Sequence, residues 1–192
     1  MGSSKAELPF GPETMLERVV RLLGEVVAPI VVVAAPDQSL PLFPKSVIVA
    51  HDEQEFRGPL EGLRAGLKAL PDAIDAVYAT SCDVPLLVPA FVRRMIDLLG
   101  DHEIAVPESD GFPHPLAAVY RCGVLPHVES LLAADRLRPV FLFEGVKTRH
   151  VAWDELKDVD PGLLTLRNLN THEEYLEALA KAGIAAGGPP RS

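Results

Sequence analysis

The spacing of hydrophobic positions changes several times along the chain, and each change marks an element. Leu16, Val19, Val20, Leu23, Val26 and Val27 recur at helical spacing behind a Thr14-x-x-Glu17 capping box, which predicts a helix from Thr14 to about Val27. Pro29 to Ala35 and the shorter Ser46 to Ala50 are apolar and β-branched, the pattern of strands covered on both faces. Further helices are predicted at Leu60 to Leu70, Val88 to Leu99, Gly123 to Ala133 and Pro139 to Phe143. Strands are predicted at Asp75 to Ser81, Ile104 to Val106, Leu116 to Tyr120 and Thr148 to Val151. This alternation defines an α/β chain built on a doubly wound, mostly parallel sheet. A second capping box, Thr171 to Glu174, opens the last helix. Residues 1–182 then read as one domain and Gly183 to Ser192, with its Gly-Gly-Pro-Pro, as a frayed tail.

The composition narrows the function classes. At 192 residues with 48% apolar content the chain can bury a substantial core, and its net charge of -9 without a Lys/Arg cluster argues against a nucleic-acid surface. Partners are therefore expected among small molecules and proteins. Cys82 and Cys122 form no C-x-x-C and are too few for a disulfide framework, and the N-terminus lacks the pattern of a signal peptide. The longest apolar run, Val26 to Ala35, is interrupted by Pro29 and too short to span a bilayer. A cytoplasmic, reducing location follows as the expectation.

Asp83 stands just past the run Asp75 to Ser81, ahead of Pro85, which cannot donate to a ladder. Ligands of open α/β sheets sit at such strand ends, where one carboxylate can hold a divalent ion against phosphate oxygens. The bland alternative is a turn or capping aspartate. Gly58, Gly62 and Gly66 recur every four residues and form one stripe of a helix begun by Pro59, with Leu60, Leu63, Leu67 and Leu70 opposite. Interior glycines cost about 1 kcal/mol each relative to alanine, so something must approach that backbone closely: either a neighbouring strand or a ligand. His114 lies in a proline-flanked loop, where a lone histidine is more often structural than catalytic. Asn168 and Asn170 point to one side if their segment is extended, although Asn170 also suits a turn before the capped helix. Lys5 closes a Gly/Ser/Lys cluster able to cradle phosphate.

Taken in order, Met1-Gly2-x-x-Lys5-Ala6, Leu8-Pro9-Phe10-Gly11, Gly58-Pro59-Leu60-x-Gly62, Cys82-Asp83-x-Pro85-Leu86, Asp110-Gly111 with His114-Pro115, and Asn168-x-Asn170-Thr171 span nearly the whole chain. Together they resemble the MobA family of molybdenum cofactor guanylyltransferases. The resemblance implies a Rossmann-like nucleotidyltransferase fold that moves GMP from Mg-GTP to the phosphate of molybdopterin and releases pyrophosphate. It makes Asp83 the magnesium ligand and Lys5 the cation on the triphosphate. Asp52 would help hold the guanosine, Gly58 and Gly62 would lie near the nucleotide, and Asn168, Asn170 and His114 would face the pterin. Other proteins of molybdenum cofactor biosynthesis are candidate partners.

Two departures accompany the resemblance. Members of this family carry an apolar first strand and a Leu-Ala-Gly-Gly-type loop ahead of the Met-Gly-x-x-Lys segment, and here the sequence begins inside that signature. The first strand is thus expected to be missing from the sheet, with a misplaced start codon as the expected cause. An asparagine usual after the second strand is replaced within Val33-Ala34-Ala35-Pro36. The rival readings are a related nucleotidyltransferase using CTP or a sugar phosphate, and a non-catalytic nucleotide- or partner-binding module.

Overall fold

A computed structural model describes residues 5–54 and 57–185. In chain order the elements are β1 (Pro9–Phe10), β2 (Glu13–Thr14), α1 (Met15–Gly24), β3 (Ile30–Ala34), β4 (Val47–His51), α2 (Pro59–Lys68), β5 (Ala76–Thr80) and α3 (Pro89–Leu99). They continue with β6 (Ile104–Ser109), β7 (Phe112–Pro113), β8 (Ala117–Arg121), α4 (Leu125–Ala133), α5 (Val140–Gly145), β9 (Thr148–Ala152) and α6 (His172–Lys181).

Both expected capping boxes form. Thr14 Oγ1 accepts from the Glu17 amide while Glu17 reaches back to the Thr14 amide, and Thr171 and Glu174 do the same for α6. The first helix stops at Gly24, short of the predicted Val27, because the chain tightens into turns in which the Val26 and Val27 amides both bond to the Leu23 carbonyl. Of the predicted tail, residues 186–192 lie outside the described residues. Ile184 bonds its amide to the Leu179 carbonyl and packs with Phe10 and Leu179.

The main sheet has five strands, with β8 between β5 and β6 and with β6 pairing also to β7 and β9. Strand β9 runs parallel to β6, whereas β8 runs antiparallel to both of its neighbours. The connection explains this exception to parallel winding. A parallel return needs a crossover of about a dozen residues or more, and the stretch from Ser109 to Ala117 is too short for one. The chain instead doubles back through a β6–β7 hairpin, whose turn residues Asp110 and Gly111 have φ of 52° and 77°. Side chains alternate across the sheet into two cores: Ile104, Val106, Ala118 and Tyr120 pack with α2 and α4, while Ala105, Ala117 and Val119 pack with α3 and Leu156.

Strands β3 and β4 form a separate parallel pair. Among the described residues, the free edge of β3 and the free edge of β5 have no strand partner. They face one another across a cavity of about 670 Å³, lined by Val31 and Val33 on one side and Ala76 to Thr80 on the other. Tyr78 and Thr80 of β5 border this cavity, and their hydroxyls are buried without hydrogen-bond partners.

Candidate active site

Asp83 follows β5 by a tight turn and is itself buried, 8% exposed. Its neighbours are fixed by the backbone. Arg18 on α1 donates from Nε to the Pro85 carbonyl at 2.7 Å, and the Leu169 amide donates to the Asp83 carbonyl at 2.9 Å. The second bond stitches the 168–170 segment alongside the aspartate. That segment is held from behind by Thr165, whose hydroxyl accepts from the Val88 amide at 3.1 Å and donates to the buried Asp160 at 2.7 Å. With Leu169 buried, Asn168 and Asn170 on either side of it both turn toward Asp83.

The result is one connected polar cluster. Asp83 Oδ1 accepts from Asn168 Nδ2 at 2.9 Å and from Ser81 Oγ at 2.6 Å. Asp83 Oδ2 pairs with Lys5 Nζ at 3.1 Å, and the same ammonium donates to Asn170 Oδ1 at 2.7 Å. Lys5 sits on a short turn whose Ala6 is buried against Leu16 and Val32, so the cation is anchored although its side chain is 37% exposed. Four residues singled out in the sequence, Lys5, Asp83, Asn168 and Asn170, therefore meet from three distant parts of the chain. Met1 and Gly2 of the same motif lie outside the described residues.

A second group gathers where β4 ends. The Asp52 amide bonds to the Ala34 carbonyl at 3.0 Å, and Asp52 Oδ1 is buried with no hydrogen-bond partner. Burial, and next the nearby Glu61 carboxylate, push the Asp52 carboxyl above its ordinary value. Gly58 caps α2 with φ of 71°, a conformation that strains any side chain. A Cβ placed on Gly62 would meet only Asp52 Oδ1, at 3.9 Å, whereas one on Gly66 would meet Val33 at 3.5 Å. Asp52, Gly58 and Gly62 form the polar end of the large cavity, whose remaining walls are mostly apolar; Asp83 and Lys5 are not among its lining residues. We therefore read the body of that cavity as the gap in the sheet and only its Asp52 end as ligand-facing.

His114 joins neither group. Its Nε2 is 2.7 Å from Ser109 Oγ and its amide donates to the Pro107 carbonyl at 2.9 Å. Burial lowers its pKa. It borders, with Asn168 and Asn170, a separate pocket of about 560 Å³.

Sequence reasoning missed two contributors. Ser81 hid in an ordinary strand end, one turn from the aspartate it holds. Glu61, the unassigned residue of Gly-Pro-Leu-x-Gly, is 2% exposed and pairs with Arg64 at 2.6 Å. It also accepts from the Glu53 and Gln54 amides at 3.0 and 3.2 Å and so fixes the loop that carries Asp52. The available signal was an acid at the third position of a helix with no Ser or Thr cap to share.

Among the described residues there is no group of three or more His, Cys, Asp or Glu side chains arranged to hold a metal. A fixed acid beside a cation at a strand end, with Asp52 at one end of a mostly apolar cavity, suits phosphoryl chemistry on a nucleotide.

The comparisons agree with that class. Residues 1–150 match the MobA-like NTP transferase domain family. A molybdenum cofactor guanylyltransferase from Desulfosudis oleivorans is 31% identical over 97% of this chain and 90% of its own length. In solved structures the fold recurs in the molybdopterin-guanine dinucleotide biosynthesis protein A of Archaeoglobus fulgidus, with TM-score 0.78, 16% identity and coverage of 95% of this chain and 92% of that one. It recurs as well in the 2-C-methyl-D-erythritol 4-phosphate cytidylyltransferase of Thermus thermophilus, with TM-score 0.71, 16% identity and 95% coverage of each chain. The chain belongs to the MobA-like NTP transferase family and is a nucleotidyltransferase with a mixed α/β fold.

Proposed function

We propose that this nucleotidyltransferase moves GMP from Mg-GTP to the terminal phosphate of molybdopterin, releasing pyrophosphate. The observation that carries the reading is the Lys5–Asp83–Asn168–Asn170 cluster, which joins a triphosphate cation to two amides facing a second pocket. Guanine is favoured over cytosine by Asp52, a buried acceptor without a partner, because guanine presents adjacent N–H donors on its pairing edge. The curated Desulfosudis relative carries the corresponding name.

In this reaction a phosphate oxygen of the acceptor bonds to the α-phosphorus of GTP. The bond from that phosphorus to the β-bridging oxygen breaks, and its electron pair leaves with pyrophosphate. The nucleophile is already ionised, so no Ser-His-Asp arrangement is needed and catalysis rests on alignment and charge neutralisation. Lys5 supplies positive charge toward the triphosphate. Asn168 holds the Asp83 carboxylate, and Asn170 orients the Lys5 ammonium.

Asp83 fits a magnesium ion of the kind bound by one carboxylate together with substrate phosphates and water. A bound magnesium ion would neutralise charge on the triphosphate, with Lys5 shifting from Asp83 to the phosphates. The reading places the reaction in the cytoplasm, in keeping with free Cys82 and Cys122.

The test is D83N, which removes an anionic ligand and almost no volume. Magnesium-dependent pyrophosphate release from GTP and molybdopterin should drop by at least about a hundredfold, the scale of one transition-state charge contact, with the melting temperature nearly unchanged. Activity within a few-fold of the parent would remove Asp83 from the metal site. The structural likeness to a cytidylyltransferase favours one second reading, CTP as donor. Calorimetric titration with GTP against CTP separates the two.

A further inference from the structure

Asp160 is a buried acid, 2% exposed, that the chemistry above leaves unused. It opens Asp160-Pro161-Gly162, a turn-forming string, and the Leu163 amide closes the turn onto the Asp160 carbonyl at 3.0 Å. The chain then enters a single tight helical turn, Leu164–Leu166, whose first amides need acceptors from outside it. Asp160 supplies them. Its Oδ1 accepts the Leu164 amide at 2.9 Å, and its Oδ2 accepts the Thr165 amide at 2.9 Å and the Thr165 hydroxyl at 2.7 Å.

No cation among the described residues pairs with this carboxylate within 4.0 Å, so three donors alone hold its charge. Burying a charge in that way is costly, and capping one short turn does not require it, since a neutral Ser, Thr or Asn caps as well. The third bond leads elsewhere. By taking the hydrogen of the Thr165 hydroxyl, Asp160 leaves that oxygen's lone pairs free for the Val88 amide, which donates to it at 3.1 Å. Val88 precedes α3, which has no side-chain cap of its own, and ends the stretch that begins at Asp83. Within that stretch the Leu87 amide bonds back to the Val84 carbonyl at 3.0 Å. Thr165 is thus attached to both halves of the site, to the Asp83 stretch through Val88 and to Asn168 three residues further along its own segment. The Leu169 amide, bonded to the Asp83 carbonyl at 2.9 Å, closes the loop between them.

Resting on the transfer reading above, we propose that Asp160 is a positioning residue for that reaction: through the Thr165 hydroxyl it locks the 164–170 segment to the Asp83 stretch, so that Asn168 meets Asp83 and Asn170 meets Lys5 in one fixed geometry. Asp160 itself bonds to none of these four side chains; its action passes through Thr165. The negative charge matters because all three groups facing it are donors. An asparagine in its place would turn its own N–H groups toward one or more of them.

Three variants test this: T165V removes the hydroxyl, T165S keeps one, and D160N removes the charge. A misplacement of about 1 Å at reacting groups costs on the order of a hundredfold in rate, so T165V should lower kcat for pyrophosphate release by about ten- to a hundredfold, and D160N by at least as much. The KM for GTP should stay within about twofold of the parent, as expected of geometry that matters only in the transition state. T165S should keep most of the parental kcat. In an N168A background T165V should cost little more, because residues acting through one contact do not add. The side-chain amide signals of Asn168 in NMR spectra, identified by their loss in N168A, give a readout independent of turnover. They should leave their parental positions in T165V and keep them in T165S. A cooperatively folded T165V with parental kcat, or with unmoved Asn168 signals, overturns the positioning role, as does a loss undiminished in the N168A background. Should D160N fail to fold, T165V and T165S decide alone. A parent that releases no pyrophosphate from GTP and molybdopterin overturns the transfer reading instead, and the Asn168 signals then judge by themselves whether Thr165 holds Asn168 on Asp83.

Discussion

Asp52 is placed where its charge is costly. One oxygen is buried without a donor, and the Glu61 carboxylate lies near enough to raise its pKa further. A folded-state pKa raised above the unfolded value favours the protonated form on folding, so its stabilising share is complete below the ordinary aspartate pKa and is lost as pH rises through the folded one. At neutral pH the group therefore works against folding. D52N should raise the melting temperature at pH 7 by about 2 °C, the scale of somewhat under 1 kcal/mol in a domain of this size. The gain should vanish toward pH 3, and GTP affinity should fall because an amide presents a weaker acceptor. A scan showing D52N less stable than the parent at pH 7 would mean that the carboxylate has a structural partner. At this scale the sequence was informative where chemistry restricts residue type. Asp83, Lys5, Asn168 and Asn170 could be picked out as a strand-end acid, a Gly/Ser/Lys cluster and alternate asparagines, each with an ordinary turn or solvated reading beside it, and the family-like strings joined them into one set. Ser81 and Glu61 could not, since a serine beside a strand and a glutamate in a helix are ordinary, and only tertiary contacts turn them toward Asp83 and the Asp52 loop.

The elements were legible in proportion to how local their causes are. Capping boxes and apolar runs act within a few residues, so α1, α6, β3 and β5 are found close to where the pattern placed them. The direction of β8 was not legible from its own residues, because it depends on the short hairpin before it. The glycine stripe of α2 left two explanations, and the structure divides it between them. Gly66 approaches Val33 and serves packing, whereas Gly62 has open space in front of it apart from Asp52 at 3.9 Å. An interior glycine with no neighbour to accommodate costs helix stability, roughly 1 kcal/mol against alanine. G62A should therefore raise the melting temperature by about 2–4 °C while weakening GTP binding, and G62L should weaken it more. A fall in melting temperature for G62A with unaltered GTP affinity would return Gly62 to the packing account. The same substitution at Gly58 should destabilise, because its φ of 71° disfavours a side chain whatever the surrounding space.

For the whole molecule the open question is the sheet. Two strand edges, on β3 and on β5, face each other across about 670 Å³ of largely apolar space, with helix α2 along one side and Leu23 and Ile96 among the residues lining it. Buried backbone donors and acceptors left unpaired cost about 1–3 kcal/mol each, against a total stability of about 5–15 kcal/mol. Tyr78 and Thr80, which border the cavity, keep buried hydroxyls without hydrogen-bond partners, a feature the apolar pattern of β5 did not announce. The gap also touches function, because Asp52, Gly58 and Gly62 form its polar end. An extended apolar segment of about five residues would pair with both edges, and a glycine-rich loop after it would reach the Asp52 end with free amides. Fusing such a strand and loop ahead of Met1 should raise the melting temperature by more than about 5 °C, since repair of even two backbone groups exceeds 2 kcal/mol, and should tighten GTP binding in the same protein. A control fusion with polar residues at the inward positions of the strand separates pairing from added length, because it can form the ladder but cannot fill the cavity. If the apolar and polar fusions behave alike, or if the 192-residue chain already melts cooperatively and binds GTP as tightly as the fusion, the gap is not a strand site, and Lys5 with the α2 glycines must hold the triphosphate unaided.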